Sequence, residues 1–190
     1  MKKRLYLMRH GQTLFNVQHK IQGWCDSPLT ELGKVQAKKA KEYFEKEHIT
    51  FDHVYSSTSE RCSDTLEIIT DMKYIRLKGL KEMFYGELEG ESERLNCLTP
   101  KECETYYLQF GGESSNTTRD RMVQTLMDIM NKDNHCSVLA VSHSGACFNF
   151  LRAWQDPMKE LEKGFPHCCI FIYEYENNQF QLIDVIRQGI

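Results

Sequence analysis

Two places in the 190-residue chain set a histidine among small, turning residues directly after an apolar run. Leu5-Tyr6-Leu7-Met8 runs into Arg9-His10-Gly11, and Val138-Leu139-Ala140-Val141 runs into Ser142-His143-Ser144-Gly145. A third polar junction, Ser56-Ser57-Thr58-Ser59, leads to Arg61. If the three runs are neighbouring parallel strands, their C-terminal ends share one rim, where open α/β sheets keep their sites. Two arginines and two histidines then converge, which is electrostatically costly without an anion. Guanidinium forks match phosphate oxygens bidentately. Arginines beside an imidazole depress its pKa and hold it in the neutral, nucleophilic form. The chemistry this suggests is capture of a dianionic phosphoryl group with a histidine aimed at phosphorus. Arg61 falls in the first turn of a helix, where a cation is unfavourable unless an anion docks beside it.

The elements that must hold these residues follow from periodicity and breakers. Lys3 to Met8 reads as a first strand, and residues 12–29 as an irregular polar stretch broken by Gly23, Asp26, Ser27 and Pro28. Thr30 is an N-cap for a helix to about Lys46, with Leu32, Val35, Ala40, Tyr43 and Phe44 on its apolar face. Asp52 to Ser56 reads as a strand whose trailing hydroxyls cap a helix from Glu60 to about Met72. Tyr74 to Leu77 is a short third strand. Thr99-Pro100-Lys101-Glu102 has the form of a helix start, with Thr at the cap, Pro first and Glu third, and predicts a helix to about Phe110 ended by Gly111-Gly112. A further helix spans about 118–131, with Met122, Val123, Leu126, Ile129 and Met130 inward. Ser137 to Ser142 is a buried strand followed by a helix that Asp156-Pro157 stops. Cys168 to Glu174 and Phe180 to Arg187 form a hairpin around Asn177-Asn178. Alternating strands and helices predict one α/β domain over residues 1–190. It is a three-layer α/β/α fold around a mostly parallel sheet of about six strands, one of them antiparallel.

Composition bounds the partners. Hydrophobic residues make up 41% and charged residues 27%, with a formal net charge of −3, so no basic surplus points to nucleic acid. No run is long enough to span a membrane, and the apolar run behind Met1-Lys2-Lys3-Arg4 is too short for a signal-peptide core. The eight cysteines form no C-x-x-C pair and are expected to be reduced thiols in a cytoplasmic protein. No metal site is expected from their spacing. The terminal hairpin or an edge strand could pair two copies as a homodimer. His19, His48, His53, His135 and His167 read as surface or satisfied core residues. Trp24, Phe84, Tyr85, Tyr106, Tyr107 and Phe110 read mostly as core, with a few facing a substrate.

Leu7-Met8-Arg9-His10-Gly11-Gln12-Thr13-x-x-Asn16 resembles the R-H-G signature of the histidine phosphatase superfamily, the phosphoglycerate mutase-like group. Four more blocks are similar to that family in the same order: Gln22-Gly23-Trp24 to Gly33, Ser56-Ser57-x-x-x-Arg61-x-x-x-Thr65, Glu82-x-x-Tyr85-Gly86-x-x-Glu89-Gly90, and Gly111-Gly112-Glu113-Ser114 followed by Val141 to Gly145. The resemblance implies that His10 accepts the phosphoryl group while Arg9, Arg61, His143 and Asn16 hold its oxygens. It implies Glu82 as the acid that protonates the leaving group, although Glu87 and Glu89 of the same loop have the same chemistry. Gln22, Gly23, Tyr85 and the Ser144 backbone N–H fall where substrate would be contacted. No metal or other cofactor is implied, since the arginines supply the positive charge. The stretch from Glu82 to His143 is short for a mutase of this family, and its cations are only Arg94, Lys101, Arg119, Arg121 and Lys132. The expectation is therefore a phosphatase of a small phosphorylated metabolite, with a small cap inserted at about 84–117. A cofactor-dependent phosphoglycerate mutase is the alternative.

Overall fold

The computed structural model describes residues 2–187. Six strands form one sheet in the order β3-β2-β4-β1-β5-β6. They are β1 (Lys3–Arg9), β2 (His53–Ser57), β3 (Ile75–Leu77), β4 (Ser137–Ser142), β5 (Ile170–Glu176) and β6 (Gln179–Ile186). β1 and β2 pair parallel to β4, and β3 pairs parallel to β2. β5 alone runs against the other strands and joins β6 through Asn177-Asn178, both at positive φ. The register sets Arg9 beside Ser142, so the first and fourth strands end level.

Alternation along β1 assigns its two faces. Leu5 and Leu7 pack with α4 (Ser115–Met130) and α5 (Ser144–Leu151), through Met122, Leu126, Phe150 and Leu151. Tyr6 and Met8 pack on the other face with α2 (Glu31–Lys46) and α3 (Glu60–Ile69), through Ala37, Ala40, Phe44, Cys62 and Leu66. Helices therefore cover both faces, as a central parallel sheet demands. A short α1 (Leu14–Val17) follows β1, and α6 (Met158–Glu162) follows Pro157.

Several boundaries differ from expectation for physical reasons. The inward face of α2 is Gly33, Ala37, Ala40 and Phe44, while Leu32 and Val35 are exposed. Gly33 lies against the backbone of Gly11 and Gln12 with no room for a β-carbon, and this contact turns the small-residue face inward. The hydroxyl of Ser59 does not cap α3; the Asp26 carboxylate accepts from Glu60 N at 2.5 Å instead. The N-cap of α4 is Ser114, which accepts from Thr117 N, so that helix starts three residues early. The helix expected from Thr99 does not form. Its capping box does, since Thr99 Oγ1 accepts from Glu102 N and Glu102 Oε2 accepts from Thr99 N. The chain then continues only as 3₁₀ turns at Glu102–Glu104 and Tyr106–Phe110. Cys97 and Cys103 are disulfide-bonded, with Cα atoms 5.4 Å apart. A straight helix would carry Cys103 away from Cys97 at about 1.5 Å per residue. The cysteines are thus not all reduced, although Cys25, Cys62, Cys136, Cys147, Cys168 and Cys169 are free thiols. No helix among the described residues is long and apolar enough to cross a membrane.

Candidate active site

The ends of β1, β2 and β4 bring Arg9, His10, Arg61 and His143 into one cluster. The rings of His10 and His143 are 5.3 Å apart. His10 is 5% exposed, and its Nδ1 lies 2.7 Å from the carbonyl oxygen of Gly11. A carbonyl only accepts, so Nδ1 carries the hydrogen and Nε2 keeps its lone pair. The one partner of Nε2 is Arg61 Nε, at a long 3.3 Å. Burial first, then the charges of Arg61 and Arg9, hold the His10 pKa well below the ordinary imidazole value, so it is neutral. The turn at Gly11 is pinned by Thr65, whose hydroxyl accepts from Gly11 N at 3.0 Å.

Arg61 is fully buried in the first turn of α3. Its Nη1 donates to Asp26 Oδ1 at 2.8 Å and to the Cys25 carbonyl, and its Nη2 donates to the Gly23 carbonyl and to His143 Nδ1, both at 2.8 Å. Asp26 is thus the anion beside this helix start, bonded to both the guanidinium and the Glu60 N–H. Because Arg61 donates to Nδ1, the hydrogen of His143 is on Nε2, which donates to Ser57 Oγ at 2.9 Å. Burial and Arg61 hold His143 neutral as well.

Glu82 is 5% exposed and faces the same cluster. Its Oε1 accepts from Met83 N and its Oε2 from Gly145 N, each at 2.9 Å. Burial raises its pKa against the pull of those N–H groups and Arg61. A β-carbon at position 145 would sit 2.7 Å from Glu82 Oε1, so the glycine is what lets the carboxyl lie against the start of α5. The other carboxylates of the loop are placed differently. Glu89 accepts from Trp24 N and Cys25 N, each at 2.6 Å, and braces the two loops together. Glu87 is exposed.

A cavity of about 470 Å³ opens over the cluster. Its walls include Arg9, His10, Asn16, Gln22, Glu82, Tyr85 and Ser144. Among the expected residues, Arg61 and His143 lie behind His10, and Gly23 lies behind Arg61 with its carbonyl as a brace. Ser144 is the first residue of α5. Asp26 and Ser57, which fix Arg61 and His143, have no expected role in the sequence, and His167, expected at the surface or in the core, is a third addition to the site. His167 Nε2 lies 2.9 Å from Arg9 Nη2 and 3.0 Å from Asn16 Oδ1, and burial and Arg9 lower its pKa to about 3. Arg9 is held further by the Phe165 carbonyl at 2.6 Å. No motif marks His167; its only signal is its position just before the apolar run Cys168 to Tyr173.

Residues 5–187 match the family model of the histidine phosphatase superfamily (branch 1). The chain belongs to this superfamily. The Arabidopsis thaliana phosphoglycerate mutase-like protein 4 is 26% identical to it over 84% of the chain and 74% of that protein. The 2,3-bisphosphoglycerate-dependent phosphoglycerate mutase of Hamiltonella defensa is 34% identical, over 46% of the chain and only 38% of the mutase. Among solved structures, Bacillus stearothermophilus YhfR superposes with a TM-score of 0.80 at 27% identity, covering 94% of each chain. Members of the histidine phosphatase superfamily are phosphatases and mutases.

Proposed function

We propose that the protein is a metal-independent phosphomonoester phosphatase that works through a phosphohistidine on His10. The observation that carries this reading is the state of His10: neutral, with Nδ1 tied to the Gly11 carbonyl and an unprotonated Nε2, held only by the long contact from Arg61 Nε, at a cavity that Glu82 also lines. In the first step Nε2 attacks phosphorus, the ester P–O bond breaks, and Glu82 gives its proton to the leaving alkoxide. In the second, the Glu82 carboxylate takes a proton from water, the water oxygen attacks phosphorus, and the P–N bond breaks to release phosphate. Arg9 and Asn16, which line the cavity, hold the equatorial oxygens, while Arg61 adds positive charge from behind His10 and His143 supports Arg61. The raised pKa of Glu82 suits a group that must start protonated. Glu89 and Glu87 do not suit the role, one being consumed by backbone N–H groups and the other pointing to solvent. Six of the eight cysteines are free thiols, which supports a cytoplasmic setting, and the Cys97–Cys103 disulfide speaks against it.

A bisphosphoglycerate-dependent mutase is the second reading, favoured by the names of relatives such as the Hamiltonella defensa mutase. The cavity wall supports it less. Only Arg9 and Lys20 are cationic there, against Glu82 and Glu93, which is little charge for a ligand with two phosphates. The test is brief reaction with a ³²P-labelled phosphomonoester in the presence of chelator. Acid-labile, alkali-stable label on the protein, lost in His10→Ala along with on the order of 10⁴-fold of turnover, is expected. Label that survives in His10→Ala, or interconversion of phosphoglycerates outrunning hydrolysis when 2,3-bisphosphoglycerate is added, would overturn the proposal.

A further inference from the structure

The phosphate cavity does not end at its own wall. It continues into a second recess of about 240 Å³ under the disulfide-closed turn, and the two share Tyr85, Cys103, Tyr107, Gly145, Phe148 and Leu161. A cavity of about 150 Å³ already holds a benzene ring, so this recess has room for a substituted one. The residues around it include Met83, Leu98 and Pro100 besides the shared aromatic and aliphatic side chains, and none of its lining residues is charged. Thr99 and two buried polar residues break the apolar wall. Asn149 from α5 and Ser115 from α4 are 3% and 4% exposed, and Asn149 Oδ1 and Ser115 Oγ have no hydrogen-bond partner among the described residues. The orientation of the Asn149 amide is fixed, because its Nδ2 donates to the Gly145 carbonyl at 2.9 Å. Its Oδ1 therefore offers an acceptor and nothing else. Buried acceptors are satisfied in nearly all proteins, and leaving one unpaired is costly.

We propose that this recess takes the alcohol half of the substrate, and that this half is a ring-sized apolar group with a hydroxyl or N–H donor at its far end. The donor meets Asn149 Oδ1, with Ser115 Oγ as its second contact. The absence of charge in the lining disfavours alcohols that carry a carboxylate, since burying an unpaired carboxylate is far more costly than burying an alkyl or aryl group. The inference rests on the phosphatase reading only for the placement of the phosphate over His10.

The experiment compares two esters of the same shape, 4-(hydroxymethyl)phenyl phosphate and 4-ethylphenyl phosphate, with 3-phosphoglycerate as the charged competitor. Dissociation constants are measured on His10→Ala, where nothing turns over, and kcat/KM on the native protein. The hydroxymethyl ester is expected to bind and to react about tenfold better than the ethyl ester. Asn149→Leu should erase that preference and Ser115→Ala should reduce it, while 3-phosphoglycerate should be at least about tenfold worse than either aryl ester. Should Asn149→Leu fail to fold, the native protein with the two esters still decides. Equal affinities, or a preference for 3-phosphoglycerate, overturn the recess assignment; hydrolysis with no preference does so while leaving the phosphatase intact. A binding preference without hydrolysis keeps the recess and removes the phosphatase.

Discussion

The rim of the sheet and the segment from Gly86 to Phe110, where a cap was expected, are built by different means. At the rim, three strand ends deliver Arg9, His10, the start of α3 and His143 at fixed spacing, and the side chains are locked through chains of bonds from Gly11 to Asp26 and Ser57. Between Gly86 and Phe110 the chain has no α-helix or strand, only 3₁₀ turns, a disulfide and a cluster of Tyr85, Tyr106, Tyr107 and Phe110. The rim gets its order from backbone pairing that spans the molecule. The cap gets its order from its side chains and from a few local backbone bonds to residues 19–21, such as Ile21 N to the Glu91 carbonyl and Gly90 N to the Ile21 carbonyl. Chemistry that must place atoms within tenths of an ångström belongs on the first kind of support, and selection of the alcohol half belongs on the second.

The sharpest way to break this contrast is to change the rim without touching the cap. Arg61→Lys keeps a positive charge but loses the fork that spans Asp26, Gly23 and both histidines. Turnover should fall about 10²- to 10³-fold, as for loss of a preorganised charge stabiliser, with KM for aryl phosphates changing far less. Steady-state kinetics on a phosphomonoester measures it. A change below about tenfold would mean that the fork does not reach the reacting group.

Gly145→Ala asks how finely the rim is set. The new β-carbon would meet Glu82 Oε1 and disturb the bond from Gly145 N. A displacement near 1 Å at the acid costs about 10² in rate. The expected loss in kcat is tenfold to a hundredfold, smallest for esters with good leaving groups such as 4-nitrophenyl phosphate, which need least help from an acid. A loss independent of the leaving group would place the damage elsewhere.

How much of each region is legible in the sequence follows the same division. Arg9-His10-Gly11 and Ser142-His143-Ser144-Gly145 can be read because an apolar run ending on a turn is a local signal, and the parallel register then makes the ends meet. The cap can be misread because its cues are local and its shape is not. Thr99 and Glu102 do close a capping box, yet the Cys97–Cys103 link bends the chain back before a helix can propagate. His167 and Asp26 are invisible for a related reason. Each acts on a residue far away in the chain, Arg9 and Arg61, and nothing in their own neighbourhood records it.

The rim also carries a titration that the cap lacks, since residues 84–117 contain no histidine. His10 and His143 at the rim, His167 beside them and His135 at the far end of the sheet all have folded pKa values below the unfolded one, with burial as the main cause. For His135 and His167 the folded values are about 4 and about 3. Between those values and about 6.5 the unfolded chain binds protons that the folded chain refuses. Stability is therefore full above about pH 6.5 and is lost as the pH falls below it. Glu82 and Asp64 work in the opposite sense, because burial raises their pKa values and lets the folded state hold a proton longer, but they are two groups against four. A thermal midpoint lower by at least about 3 °C at pH 5 than at pH 7.5 is expected, roughly 1 kcal/mol for a chain of this size. A midpoint that is flat or rises across that range would mean these histidines are charged in the fold.

The smallest expected effect comes from opening the cap. Cys103→Ser removes the disulfide but keeps the size of the side chain, and the link spans only six positions in sequence. A short loop confers little on the global fold, and the segment is held also by the bonds from Tyr106 Oη to the Leu95 carbonyl and from Tyr107 Oη to Asn96 Oδ1. The thermal midpoint should move by no more than about 2 °C. The effect should appear in recognition instead, because Cys97 and Cys103 both line the cavity over His10 and Cys103 lines the recess beyond it. KM for aryl phosphates should rise about two- to fivefold, kcat should stay within about twofold, and mild reduction of the native protein should reproduce the shift. A fall in kcat with KM unchanged would show that the cap orders the acid as well as the alcohol, and the division between the two regions would not hold.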